Sequence, residues 1–198
     1  MIGTGSHVRI APVGSARFTH AAPGLLLVLL VATLLVVTAF GIEAGQTAPG
    51  GRLLDQLKLL FPSAAAFSAK TENPPHFKAF ADASSSELLG VAFWTTELEP
   101  LERGYDGPIK MLVGMNSKGV LTGVIVVDHH EPYGSFSIEP PAFAAQFRGK
   151  SIRDPFKVGD DIDAVSRASI TMTSASRAVR NSARRMARAV LTPPTDSK

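Results

Sequence analysis

The sequence predicts an α+β domain, a twisted and mainly antiparallel sheet flanked by helices, preceded by one N-terminal transmembrane helix. Three patterns predict it. Residues 24–42 (GLLLVLLVATLLVVTAFGI) are apolar and carry no charge. Residues 76–128 hold β-branched and aromatic runs separated by Gly, Pro and Asn. Residues 174–191 are free of Gly and Pro and have the composition of a helix. The 198 residues, 45% of them hydrophobic, allow one domain with its own core.

Taken from the N-terminus, residues 1–23 are a tail and 24–42 the span. Nineteen residues at about 1.5 Å each reach about 28 Å, against a hydrocarbon thickness of about 30 Å. A cleaved secretory signal is the competing reading. Its apolar part is about 7–15 residues long and ends in a small-x-small site, which Phe40-Gly41-Ile42-Glu43-Ala44 does not supply. Arg9 and Arg17 precede the span, whereas Glu43 follows it and the next basic residue is Arg52. The positive-inside rule therefore predicts a cytoplasmic N-terminus and a folded part on the outer side of a bacterial inner membrane.

Residues 43–51 form a linker that includes GQTAPGG, and 52–191 the domain. Arg52 to Leu60 places Leu53, Leu57 and Leu60 at helical spacing before Phe61-Pro62 stops the run. Strands are predicted over His76–Asp82 and Glu87–Glu97. Beyond the loop Gly104-Tyr105-Asp106-Gly107-Pro108, Ile109–Met115 and Val120–Asp128 form a hairpin around Asn116-Ser117-Lys118-Gly119. A short helix follows over Glu139–Phe147, and a long one over Ser174–Leu191 with Thr173 or Ser174 as its N-cap. Residues 192–198 are a tail.

Composition excludes several functions. There is no cysteine, which removes disulfides, thiolate-held iron–sulfur clusters, covalent c-type haem and a cysteine nucleophile. A formal charge of +3 without a basic tract interleaved with aromatics gives no nucleic-acid signature. His129 and His130 directly follow the predicted strand Val120–Asp128, and in continued extended backbone adjacent residues point to opposite faces, so the two imidazoles do not easily share one metal ion. Arg177, Arg180, Arg184 and Arg188 recur at spacings of three and four, as a solvated helix face or a surface that docks an acidic partner or lipid headgroups.

Several landmarks, in this order, resemble the FMN-binding domain family shared by the NosR and NirI regulators, RnfG and NqrC, and most of all the NosR/NirI type. They are Leu60-Phe61-Pro62, Leu89-Gly90-Val91-Ala92-Phe93, Gly104-Tyr105-Asp106-Gly107-Pro108-Ile109, His129-His130-Glu131-Pro132, Ile152-Arg153-Asp154-Pro155, Asp163-Ala164-Val165-Ser166-Arg167-Ala168-Ser169 and Ser182-Ala183-Arg184. The Asp163–Ser169 segment looks like the acceptor on which a flavin transferase splits FAD and esterifies the FMN half to a hydroxyl. The family pattern is Asp, a small residue, any residue, Ser or Thr, Gly, Ala, then Thr or Ser. Arg167 stands where the family has Gly.

The resemblance implies FMN held by a phosphoester on Ser169, with Thr171 as the alternative acceptor. Asp163 would hold the loop or help orient Mg-FAD, and the small Ala164 and Ala168 would leave the transferase room. Ser166, Thr173 and Ser174 would donate to the phosphate or cap the helix. Arg167 would be a counter-charge to the phosphate or an obstacle to the transferase. Tyr105 and Gly107 would lie against the isoalloxazine, and Glu131 would accept a hydrogen bond from the ring or ribitol. The one-span layout is that of RnfG and NqrC. It implies a membrane-anchored electron carrier, with no substrate turnover of its own evident, working between a membrane redox complex or quinol-linked reductase and a periplasmic acceptor. The alternative is a regulatory or assembly subunit of such a complex that has lost the flavin.

Overall fold

The computed structural model describes residues 48–191. The predicted tail, the transmembrane helix over 24–42, most of the linker and the tail at 192–198 lie outside the described residues. Among the described residues, no helix is long and apolar enough to cross a membrane.

Six strands form the sheet: β1 (Ala66–Phe67), β2 (Thr71–Glu72), β3 (Pro75–Phe80), β4 (Leu88–Trp94), β5 (Lys110–Asn116) and β6 (Leu121–Asp128). They are ordered β1-β3-β4-β5-β6, with β2 paired to β3. All strand pairings are antiparallel, as expected. The hairpin closes as its turn chemistry predicts. Gly119 takes a left-handed φ of +76°, and the Asn116 side-chain oxygen accepts the N–H groups of Lys118 and Val120 at 2.9 and 3.0 Å.

Period-two alternation sends the strands' side chains to two cores. Val91 and Phe93 on β4, with Met111, Val113 and Met115 on β5, face a 22-residue helix, α5 (Ser169–Val190). That helix returns Met172, Ala175, Val179, Ala183 and Met186 at spacings of three and four. Ala92 and Leu112 face the other way, toward α1 (Gly51–Leu60) and Phe61. Leu57, Leu60 and Phe61 are buried there, as the leucine spacing predicts.

Glycine makes that second seat. Ala92, Gly114 and Gly123 stand side by side across β4, β5 and β6. A methyl group on Gly114 would lie 3.0 Å from Leu60 Cβ, and one on Gly90 would meet Phe61 Cε1 at 2.9 Å and Asn116 Cα at 2.7 Å. With no side chain at Gly90, Gly114 and Gly123 and only a methyl at Ala92, Leu60-Phe61 lies against nearly bare backbone.

Three expected boundaries need correction. The strand expected over Glu87–Glu97 ends at Trp94, and Thr95–Leu98 is a helical turn, α2. Buried Thr95 explains it: its hydroxyl donates to Ile109 O at 3.1 Å and accepts Met111 N–H at 3.0 Å, so the side chain replaces the next rung of the ladder. The strand expected over His76–Asp82 ends at Phe80. Asp82 instead accepts the N–H groups of Ser86 and Glu87 and the hydroxyls of Ser84 and Ser86. The Ser84 bond first, then those of Glu87 and Ser86, hold its carboxyl far below the usual range. Third, α5 begins at Ser169, five residues before the expected Ser174, and its cap position is Ala168, with no side-chain cap. Thr173 and Ser174 lie inside the helix. Their neighbours Thr171 and Ser182, and Ser174 itself, donate to acceptors outside the local backbone or to i−4 carbonyls, which removes the competition that makes such residues helix breakers.

Two short helices complete the domain, α3 (Gly134–Ser137), absent from the sequence expectation, and α4 (Pro141–Ala145), inside the expected Glu139–Phe147.

Gly90→Ala tests the seat. The added methyl would also press on the backbone oxygen of Met115, which cannot rotate away. We expect a loss of about 1–3 kcal/mol, read as a fall in Tm and in denaturant midpoint.

Candidate functional site

The site is assembled around Glu131. Where β6 ends, the chain turns through His129, whose Nδ1 accepts Glu131 N–H at 3.1 Å and whose Nε2 faces Glu139 Oε1 at 3.3 Å. That turn carries the Glu131 side chain inward until only 6% of the residue is exposed. A buried carboxylate is costly unless its lone pairs are satisfied, and here they are. Tyr105 N–H donates to Oε2 and Asp106 N–H to Oε1, both at 3.0 Å, and the Thr171 hydroxyl donates to Oε2.

The Gly104–Gly107 loop is shaped to this carboxylate. Gly104 passes so close that a Cβ there would lie 3.0 Å from Glu131 Oε2 and nearer still to Oε1. Gly104 N–H donates to Gly107 O at 2.7 Å, and Gly107 has φ +117°, open to glycine alone at low cost. Glu131 therefore ties three pieces remote in sequence: the loop after α2, the end of β6 and the first turn of α5. Its three bonds use most of the roughly four lone-pair sites of a carboxylate. These contacts give Glu131 a scaffolding role, beside which the flavin ring or ribitol contact expected of it would draw on the remaining lone pair.

The predicted acceptor segment lies at the start of α5. Asp163 N–H donates to Gln146 Oε1 at 2.6 Å, and its exposed side chain has no partner among the described residues. Ala168 is buried and its N–H reaches Val165 O at 3.2 Å, closing a turn in which Arg167 has φ +67°. The left-handed conformation is what glycine adopts freely and other residues only at a cost of about 1–2 kcal/mol. Arg167 thus holds a backbone conformation that glycine would take at low cost. Its side chain is exposed and, among the described residues, makes no hydrogen bond or ion pair.

Ser166 and Ser169 are exposed, whereas Thr171, expected as the alternative acceptor, is 2% exposed and bound to Glu131. Ser169 is the first residue of α5. The helical ladder begins when Met172 N–H meets Ala168 O at 2.9 Å, so the amides of Ser169, Ile170 and Thr171 precede it. With no side chain capping them, they and the helix dipole favour an anion.

Ser169 shares a cleft with Arg103, Ile170, Thr173, Ser174 and Arg177. Contrary to expectation, the Ser174 hydroxyl is not free for a ligand, because it donates to Glu102 Oε1 at 2.9 Å. Arg177 grips the same carboxylate bidentately, Nε to Oε2 at 2.7 Å and Nη2 to Oε1 at 2.6 Å. The Arg177 hydrogen bond, aided by Ser174, holds the Glu102 carboxyl below its ordinary value, and the same contact raises Arg177. This ties the residues ahead of Gly104 to α5, one turn beyond the Glu131–Thr171 contact.

Four large apolar side chains near these contacts stay in solvent. Tyr105 is 69% exposed, Tyr133 44%, Phe136 47% and Ile170 58%, and the Tyr133 and Phe136 rings lie 5.3 Å apart. Glu102, Arg103, Phe136 and Ile170 are not legible as site residues in the sequence. Only the placing of a Glu-Arg pair just before Gly104 hints at Glu102, since its partner Arg177 lies 75 residues away.

Residues 104–184 match the FMN-binding domain family. The match starts at the loop that receives Glu131 and runs past Ser169. The chain is also similar to the G subunit of the ion-translocating oxidoreductase complex of Erwinia tasmaniensis, 30% identical over 118 residues, covering 54% of this chain and 53% of that protein. It thus spans about half the length of the curated relative it matches.

Arg167→Gly removes the left-handed strain without deleting a contact. We expect a gain of about 0.5–1 kcal/mol after glycine's larger entropy loss, seen as a Tm rise of about 1–4 °C. A lower Tm would mean that the arginine side chain contributes more than its strained backbone costs.

Proposed function

We propose, with the match of residues 104–184 to the FMN-binding domain as the premise, that this chain is an FMN-carrying electron-transfer subunit holding its flavin by a phosphoester on Ser169. The observation that carries the choice of acceptor is the backbone at Arg167. Its φ of +67° is a left-handed turn of the kind glycine takes freely, and Ser169 follows it, exposed, at an uncapped helix start. Thr171 is a poor acceptor because a transferase would have to break its bond to Glu131.

The residues present fit the group. The amides of Ser169 and Ile170, with Arg103 in the same cleft, suit a phosphate, and the exposed Tyr105 and Tyr133 offer flat apolar surface to a ring system. FMN, when bound, supplies one- and two-electron chemistry through its isoalloxazine. The chain's part is to fix and shelter it: Glu131 holds the Gly104–Gly107 loop in place, and the Glu102–Arg177 pair holds the preceding residues on α5.

In this reading residues 24–42 span a bacterial inner membrane once, the domain stands on the periplasmic side, and a flavin transferase loads it. Anchoring raises the effective concentration of the flavin near a membrane redox complex or quinol-linked reductase. The likeness to a component of an ion-translocating oxidoreductase supports membership of such a complex. A second reading, a regulatory or assembly subunit without covalent flavin, is favoured by Arg167 alone, whose charged side chain stands two residues from the acceptor.

Intact mass separates the two. The full chain made together with a flavin transferase should be heavier by one FMN and fluorescent after denaturation, and Ser169→Ala should abolish both. A gain that persists in Ser169→Ala and vanishes in Thr171→Ala would move the attachment to Thr171, and no gain in the parent chain would favour the second reading.

A further inference from the structure

The arginines of α5 are not the simple solvated face that their spacing allows. Three clefts follow one another along the helix and share their walls. The cleft beside Ser169 and the next have Thr173 and Arg177 in common, and the second and third have Arg184 in common. The strip so formed runs along most of a helix about 33 Å long. Its walls carry Arg103, Lys157, Arg180, Arg184, Arg153 and Arg188 in addition to Arg177, and no carboxylate lines any of the three clefts. Among the described residues, the ion pairs of this strip are confined to Arg177 with Glu102.

Two of the guanidinium groups are held in place by neutral acceptors. Arg184 donates Nε to Ile152 O at 2.7 Å and Nη2 to Asp154 O at 2.9 Å. Arg180 donates Nε to Asn181 Oδ1 at 3.2 Å and Nη1 to Pro155 O at 3.5 Å. Each uses two of its five N–H donors and keeps its full charge. A fixed guanidinium with spare donors loses little entropy on meeting a carboxylate and can bind it bidentately.

We propose that this strip is a docking groove for an acidic, extended segment of a partner protein. Charge complementarity argues for the acid, and concavity argues for a chain rather than a flat bilayer. A membrane surface is usually met by a helix with large apolar side chains on its contact face, and apart from Ile170 at one end the exposed large apolar residues lie elsewhere. The groove begins at Ser169, so a partner seated in it lies beside the proposed flavin. The inference does not depend on the flavin being present.

The test uses the full chain in nanodiscs of neutral lipid and a fluorescein-labelled oligoglutamate peptide, with fluorescence anisotropy as the readout. Lys157→Glu/Arg188→Glu changes two exposed strip residues that have no ion pair. Arg52→Glu/Lys58→Glu makes the same change in formal charge on α1, across the sheet from α5. The strip variant should weaken peptide binding by about tenfold or more and the α1 variant by less than about twofold, and the parent's affinity should fall as salt rises above about 0.1 M. Equal weakening in both variants, no weakening, or no binding by the parent chain would overturn the proposal. So would vesicles containing phosphatidylglycerol that lose binding in the strip variant while the peptide does not, because the strip would then be a lipid surface. Near-UV circular dichroism matching the parent establishes that both variants are folded.

Discussion

The carboxylate of Glu131 is the contact on which the functional end of this domain depends. Burying it leaves a charge that water cannot reach, and the chain answers by wrapping the Gly104–Gly107 backbone around one side and presenting the Thr171 hydroxyl from the other. The consequence is geometric. The loop, the end of β6 and the first turn of α5 are held to one another by a single group, although they lie up to 67 residues apart in sequence (104 to 171). Glu102 repeats the device with Ser174 and Arg177. Two carboxylates thus fix where α5 begins relative to the sheet, and with it where Ser169 stands.

The rest of the fold supports that arrangement. α5 can carry polar residues in its first turns because its apolar stripe, Met172 to Met186, is anchored on β4 and β5. On the opposite face Leu60 and Phe61 lie against the backbone at Gly90, Gly114 and Gly123. At Arg167 the chain accepts strain to keep a turn. Strained residues persist where the surroundings hold them; here the buried Ala168 and the Glu131–Thr171 contact on one side, and the Asp163–Gln146 bond on the other, hold the turn.

Local features are legible in the sequence and remote ones are not. The hairpin at Asn116–Gly119 and the leucine face of α1 follow from turn chemistry and periodicity, which neighbouring residues determine. The end of β4 falls short of its expected place because Thr95 acts through carbonyl and amide groups 14 and 16 residues away. The start of α5 falls earlier than expected because Thr173 and Ser174 read as caps, whereas both lie inside the helix and the Ser174 hydroxyl goes to the remote Glu102 carboxylate. Likeness to a family points to the loop, Glu131 and the acceptor segment together. It does not reveal that Glu131 serves the scaffold, that Thr171 is closed off, or that Arg167 stands in a left-handed turn. The arginine spacing on α5 is visible, but the grooves between those arginines and the Ile152–Val158 segment exist only in three dimensions.

The most direct test of the Glu131 clasp is amide hydrogen exchange on Glu131→Gln, followed by mass spectrometry of peptides covering residues 104–107 and the hydrogen-bonded amides of α5 from Met172 to Ser176. The amide keeps one acceptor oxygen and loses the charge, so exchange should quicken by about tenfold, equivalent to about 1.4 kcal/mol, in both peptides together, with β4 and β5 unchanged. Unaltered protection in the loop and in α5 would contradict the claim that this carboxylate holds them in place.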